Sequence, residues 1–249
     1  MSSVDKIISD IIKDTPVGEL PKVIEDLKLI IDKNINHELS IAIKEYNLTN
    51  FTSIDVENNP IIISKYNQDD DEFFIDSKNG VKFKVDHLLL KPQEITKIEQ
   101  SISKYDSELS KYVIDQYNQG EYLINNDVIL IKGHKTSSLN YWTGSWRSKY
   151  DLQTGKGEIN IDVHYYEDGN VRLQTLQNVE IDISSPISSI KQVETKIQLS
   201  LNKQFANLNE AVFKQLRRQL PVTRSKINWG KAIGNYKLGK LTSSSSSSS

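Results

Sequence analysis

Cysteine is absent from this chain of 249 residues, so disulfides and thiolate metal sites are excluded. The absence fits a reducing compartment. Long apolar runs are also missing, and none approaches the ~20 residues that a membrane-spanning helix needs. At the N-terminus, the stretch MSSVDKIISDIIKD has charges between its apolar residues, unlike the core of a secretion signal. We therefore expect a cytosolic protein.

The signatures of common catalytic sites are absent as well. The sequence contains no GxxxxGK[ST] phosphate loop, no GxGxxG dinucleotide loop and no GxSxG nucleophile elbow. Its four histidines lie far apart and lack the spacing of a metal site: His37, His87, His134 and His164. The acidic run at 69–72 lacks the spaced ligands and the glycine of a calcium loop, so we interpret it as a solvated loop. We predict no enzyme activity, no cofactor and no bound metal.

Negative charge is missing from the C-terminal part. From Ala211 onward there is no Asp or Glu, but there are eight basic residues: Lys214, Arg217, Arg218, Arg224, Lys226, Lys231, Lys237 and Lys240. Because the whole chain carries a net charge of −2, the first 210 residues carry −10. A basic arm on an acidic body indicates binding to an acidic partner.

The spacing of apolar residues predicts an α+β fold with antiparallel strands. Three short helices are expected in the first 46 residues, the third capped by Asn36. The predicted parts are a helical N-terminal part (1–50), a β-rich region (51–184) with an inserted helix (92–118), a long helix (185–220), a basic amphipathic segment (221–242) and a disordered polyserine tail (243–249).

The long helix suggests a partner chain. Ser185-Pro186 is a favourable helix start, Pro221 stops the helix, and apolar residues recur between them at spacings of three or four. Such a stripe needs one long apolar surface. The four or five strands expected after the inserted helix offer only a narrow surface. A sheet shared with a second chain would widen this surface and also cover an exposed edge strand. We therefore expect an obligate partner.

Three long motifs carry a resemblance to a known family. They are YWTGSWRS at 141–148, HYYEDGNV at 164–171 and LRRQLPVTRSKI at 216–227 followed by Trp229. In this order they resemble the F-actin-capping protein alpha subunit family, and the ending YKLGK at 236–240 is similar too. Weaker similarity upstream, in EYNLTNFT and KFKVDHL, extends the resemblance over nearly the whole chain. The region between Asp86 and Tyr141 and the polyserine end depart from the family pattern.

The resemblance implies a fold and a function. It implies an obligate heterodimer with a beta subunit, a helical stalk, a sheet shared by both subunits, a long helix across that sheet and an amphipathic C-terminal tentacle. The pair would bind the barbed ends of actin filaments without calcium and block subunit addition and loss, in the cytoplasm at the cortical cytoskeleton. The positions matching the family's actin contacts are Lys214, Arg217, Arg218, Arg224, Lys226, Ile227 and Trp229. Trp142 and Trp146 are assigned to the subunit core or the dimer interface.

Two other interpretations of the basic segment stay open. Trp229 and Tyr236 between cations could stack on nucleic-acid bases, although the acidic body opposes a broad nucleic-acid surface. Basic amphipathic segments also bind acidic phosphoinositides, which the resemblance implies as inhibitors alongside capping-protein regulators. We expect phosphoinositide binding to compete with actin, and we expect no nucleic-acid partner.

Overall fold

Three short helices form the N-terminal part of the protein. The computed structural model describes residues 3–15, 19–31, 34–70, 72–139, 142–165 and 171–207. The helices are α1 (Ser3–Asp14), α2 (Leu20–Ile30) and α3 (Asn36–Thr49). They enclose a small core that includes Ile8, Ile12 and Ile43. Of the isoleucines in α1, only Ile8 and Ile12 face this core, while Ile7 and Ile11 are exposed.

One predicted helix start is wrong. Asn36 is the first residue of α3 and not its cap, because Ile35 occupies the cap position without a side-chain cap bond. The Asn34 Oδ1 instead accepts a hydrogen bond of 3.0 Å from the Asn36 backbone N–H. The short polar side chain that satisfies this helix end therefore lies two residues earlier than predicted.

Five short strands follow the helices and form two small antiparallel sheets. The strands are β1 (Ser53–Val56), β2 (Asn59–Ile62), β3 (Phe73–Asp76), β4 (Val81–Asp86) and β5 (Lys91–Lys97). The β1–β2 turn places Glu57 and Asn58 at positive φ, 54° and 65°, as a two-residue hairpin of type I′ requires. Gly80 turns from β3 into β4 at φ +63°, where a Cβ atom would lie 2.9 Å from the Ile98 carbonyl oxygen.

The predicted inserted helix at 92–118 is wrong in its first half. Residues Lys91–Lys97 form β5, and only Asp106–Gln116 form a helix, α4. The isoleucines at 95, 98 and 102 have helical spacing, but Ile95 and Ile102 are exposed, so no apolar face exists to support a helix there. Pro92 is compatible with β5 because β5 is an edge strand of the order β3-β4-β5.

The largest layer is a five-stranded antiparallel sheet. Its strands are β6 (Asn118–Asn125), β7 (Val128–Ser137), β8 (Trp142–Asp151), β9 (Lys156–Tyr165) and β10 (Val171–Glu180), in the order β10-β9-β8-β7-β6. Side chains alternate between two faces, and in β8 every second residue from Trp142 to Tyr150 is buried. The buried face shares one hydrophobic core with α4 and with α5 (Pro186–Asn207).

The observed mixture of helices and antiparallel strands agrees with the predicted fold class. Strands β9 and β10 form an antiparallel hairpin, and the residues that connect them, 166–170, lie outside the described residues. Helix α5 starts at Pro186 as predicted. The predicted remainder of that helix (208–220), the amphipathic segment (221–242) and the polyserine tail (243–249) lie outside the described residues. Within the described part of the chain, β10 pairs only with β9, so its other edge is free.

Candidate functional site at the C-terminal helix

The described chain ends at Asn207, just before the predicted binding segment. All seven predicted contact residues lie beyond it: Lys214, Arg217, Arg218, Arg224, Lys226, Ile227 and Trp229. Their predicted role therefore stays a prediction. The described element that precedes them in the chain is α5, and its contacts show how firmly this helix is held.

The C-terminal end of α5 is held by aromatic stacking. Phe205 is buried, and its ring stacks on Tyr165 with centroids 5.4 Å apart and planes 1° apart. The Trp142 ring also packs near Phe205, with centroids 6.4 Å apart and planes tilted by 30°. The Trp142 indole N–H also donates a hydrogen bond of 2.9 Å to Asn202 Oδ1. The last described turn of the helix is thus fixed to the adjacent strands β8 and β9.

The middle of α5 is held by a buried carboxylate. Glu194 is charged, yet it has no exposed surface and lies on the buried, apolar face of the helix. Its two oxygens accept hydrogen bonds from Tyr112, Tyr117 and Lys135 on Oε2, and from Ser148 and Tyr150 on Oε1. The Tyr112 and Tyr150 bonds measure 2.6 and 2.7 Å. Buried charge is tolerated only when paired and hydrogen-bonded, and this carboxylate meets both conditions.

Lys135 supplies the opposite charge to Glu194. Its ammonium lies 3.2 Å from Glu194 Oε2, and its side chain is only 3% exposed. The same ammonium lies 4.2 Å from the centre of the Tyr117 ring and 4.3 Å from that of Trp146. Burial lowers the Lys135 pKa, and the Glu194 charge opposes that shift. The cation is therefore held by one carboxylate and two aromatic faces.

The tyrosines around Glu194 are strongly biased towards the protonated form. Burial raises the pKa of Tyr117 and Tyr150 well above the ordinary value, and the nearby Glu194 charge raises it further. Burial and Glu194 act on the Tyr112 pKa in the same direction. Each hydroxyl therefore remains a proton donor to the carboxylate. This arrangement ties the middle of α5 to α4 and to the sheet through one buried network.

Sequence reasoning missed Glu194, although a signal was present. Glu194 follows Ile190 by four residues and precedes Ile197 by three, so the helical period puts it on the apolar face. A lone acid on such a face predicts a buried partner. Its partners come from α4 and the residue that follows it, from β7 and from β8, which no local pattern brings together.

Trp142 and Trp146 lie in the core of this chain and not on its surface, since neither is exposed. The sequence left two locations open for these tryptophans, the subunit core and the dimer interface, and the structure places both in the core. Among the described residues, no group of three or more His, Asp or Glu side chains is placed to hold a metal ion. In the same set, no helix is both long and apolar enough to cross a membrane.

Comparisons with known proteins give a consistent result. Residues 8–241 match the family described as F-actin capping protein alpha subunit. The F-actin-capping protein subunit alpha of Candida glabrata is 42% identical over 258 residues, covering 95% of this chain and 96% of that protein. The Saccharomyces cerevisiae protein of the same name is 40% identical over 260 residues, covering 96% and 97%. Neither name is that of an enzyme.

A solved structure has the same fold. It is the homodimeric actin capping protein alpha subunit from Plasmodium berghei, with a TM-score of 0.67 and 23% sequence identity. The match covers 88% of this chain and 97% of that one. At this level of identity the similarity concerns the fold, and it confirms the predicted combination of helices and antiparallel sheet.

Proposed function

Because this chain belongs to the F-actin capping protein alpha subunit family, we propose that it pairs with a beta subunit and caps the barbed ends of actin filaments. The pair occupies the terminal actin subunits and so blocks both addition and loss there. The observation that carries the proposal is the basic segment, because the family match extends to residue 241 and includes it. The proposed location is the cortical actin cytoskeleton.

Binding at the filament end is assigned to the C-terminal segment. The proposed contacts are Lys214, Arg217, Arg218, Arg224, Lys226, Ile227 and Trp229. Actin is acidic, so cations speed the encounter, while Ile227 and Trp229 dock in an apolar groove and slow release. The firmly held α5 supports this proposal because the element that precedes the segment in the chain is anchored to the sheet.

A charge-reversal variant tests this assignment. The change is Arg218→Glu, Arg224→Glu and Lys226→Glu together, in the chain co-expressed with a beta subunit. We expect barbed-end capping to weaken by at least about 100-fold, since each desolvated charge pair is worth about 2–5 kcal/mol. The measurement is elongation from filament seeds, with the size and thermal unfolding of the heterodimer recorded in parallel.

The matched control reverses three exposed lysines of the body, Lys22, Lys111 and Lys196. It changes the net charge equally and should cap like the wild type. If the charge-reversal variant still stops elongation at wild-type concentrations, the assignment of the binding site to this segment is refuted.

Two further experiments test the roles of calcium and lipid. Capping is expected to be unchanged when a chelator removes calcium. Vesicles containing acidic phosphoinositides are expected to compete with filament ends for the segment.

A further inference from the structure

The loop between β4 and β5, residues 87–90, connects the three-stranded sheet with the helical part of the molecule. Its backbone is held by Asn47 of α3, a buried side chain whose Nδ2 donates a hydrogen bond of 2.9 Å to the His87 carbonyl oxygen. His87, Leu88 and Leu90 also line a cavity of about 480 Å³ whose remaining walls come mainly from α2 and α3. The loop therefore closes one side of a space beside these helices.

The His87 ring lies at the start of this loop and differs from the other histidines of the chain. It packs edge-on against Phe74 of β3, with centroids 5.9 Å apart and planes at 73°. Its Nδ1 atom is buried, and among the described residues it has no hydrogen-bond partner. The other three histidines are exposed: His37, His134 and His164. His87 is thus the histidine whose ring is held by the fold.

Protonation of the ring conflicts with this position. A neutral imidazole keeps one ring nitrogen without a proton, whereas an imidazolium carries a proton on both. The charged ring would therefore place a donor at Nδ1, where the described residues offer no acceptor. A buried donor without an acceptor is costly. The docked loop thus favours the neutral ring.

The charged groups around the ring do not compensate for this cost. Lys44 of α3 repels the imidazolium, while Asp86, the preceding residue, attracts it. Asp86 already accepts hydrogen bonds at Oδ1 from the backbone N–H groups of Leu88 and Leu89. Three further charged residues line the same cavity: Glu25 and Lys28 of α2 and Lys132 of β7. Burial, followed by the charge of Lys44, lowers the pKa of His87 to about 4.

Little else holds the loop in place. Leu88, Leu89 and Leu90 are 51%, 62% and 40% exposed, so they bury little apolar surface. Leu90 is also held at φ +51°, in the left-handed region that residues other than glycine rarely adopt. Segments with few buried contacts are the ones that open locally while the rest of a fold stays intact. A modest loss of docking energy at His87 is therefore enough to release this loop.

We propose that His87 makes the docking of the β4–β5 loop sensitive to acid: when the ring takes up a proton, the loop leaves Asn47 and Phe74 and opens the cavity beside α2 and α3. Once released, the ring lies in water and has its ordinary affinity for protons. As the pH falls below about 6.5, the released loop binds a proton that the docked loop does not bind, so release becomes more favourable down to about pH 4, where the docked ring is protonated as well. The inference is independent of the proposed capping function and concerns a different part of the chain from the basic segment.

The test is hydrogen exchange of the full chain, co-expressed with a beta subunit, at pH 7 and pH 5, corrected for the chemical exchange rate at each pH. In peptides covering β4, the loop and β5, we expect the equilibrium constant for opening to rise about 20-fold from pH 7 to pH 5, because the released ring gains protons over this range. His87→Gln keeps a polar side chain but cannot take up a proton, so its opening constant should change by less than about twofold. His87→Asn is measured alongside as a smaller variant with the same expectation.

The matched control is His134→Gln, because His134 is exposed on β7 and lies outside the cavity. This variant should keep the pH response of the wild type. Peptides from β8 and α5 in the same samples should show no matching increase, since the release is local. The proposal is overturned by an unchanged opening constant in the wild type, by a wild-type response in both His87 variants, or by an equal increase throughout the body.

Discussion

Glu194 brings a negative charge into the core of the molecule, where an unpaired carboxylate would cost several kcal/mol. Five donors remove this cost: three tyrosine hydroxyls, one serine hydroxyl and the ammonium of the buried Lys135. This single side chain joins α5 to α4, β7 and β8. At the scale of single residues, polar contacts thus hold the helix on the sheet together with its apolar face.

The raised pKa values of these tyrosines predict a sensitivity to alkali. Below pH 10 both the folded and the unfolded chain keep the hydroxyl protons. Above pH 10 the unfolded chain releases them while the buried Tyr117 and Tyr150 keep theirs, so stability is lost as the pH rises. Each such tyrosine removes about 1.4 kcal/mol of unfolding free energy per pH unit.

Tyr150→Phe tests this effect. The variant should be less stable at pH 7 by about 1–3 kcal/mol, because Glu194 loses a donor. Between pH 10 and 11 its stability should fall less steeply than that of the wild type, by about 1.4 kcal/mol per pH unit. Chemical denaturation at several pH values measures both. Tyr105→Phe, outside the network, is the control; equal slopes for Tyr150→Phe and wild type would contradict the prediction.

Residues with a local signal were predictable, and those with long-range partners were not. The alternation in YWTGSWRS places Trp142 and Trp146 on one face of β8, and both are in the core. The same alternation places Arg147 on the opposite face, but its sequence neighbours do not predict that other elements partly cover it. That property arises from α3, β9 and β10 meeting around it.

At the scale of elements, helix α5 was predicted from its caps and apolar stripe, because both signals are local and repeat over many turns. The helix at 92–118 was predicted from spacing alone, and β5 occupies its first six positions because nothing buries a helical face there. Periodicity is therefore informative where the apolar side chains are buried and misleading where they are exposed.

The last described turn of α5 should depend mainly on Phe205. Phe205→Ala removes the stacking with Tyr165 and leaves a cavity beside Trp142, so we expect a loss of about 3–5 kcal/mol in unfolding free energy. Leu199→Ala on the same helix is the control, since Leu199 is 62% exposed and should change stability by less than about 0.5 kcal/mol. Chemical denaturation of the heterodimer measures the two variants. Similar losses in both would show that α5 is not anchored through Phe205.

At the scale of the whole molecule, charge is divided between an acidic body and a basic end. The first 210 residues carry −10 and the remainder carries +8. We expect the proposed binding to rely on the basic segment and folding on the buried clusters of the body, so that charges in the segment can be altered without unfolding the body.

This division predicts that capping is faster at low salt. Attraction between the basic segment and acidic actin acts over roughly 10 Å at 0.1 M salt and is screened beyond that distance. We expect the association rate with filament ends to fall several-fold between about 50 and 200 mM salt, with a smaller change in dissociation, because docked apolar contacts are not screened. Elongation from filament seeds, followed over time after the protein is added, measures both rates, and elongation without the protein is recorded at each salt concentration.

The control variant neutralises the segment by Arg218→Gln, Arg224→Gln and Lys226→Gln. Its association with filament ends should be slower and nearly independent of salt. A wild-type association rate that does not respond to salt, or a neutralised segment with the wild-type response, would mean that the encounter is not guided by these cations.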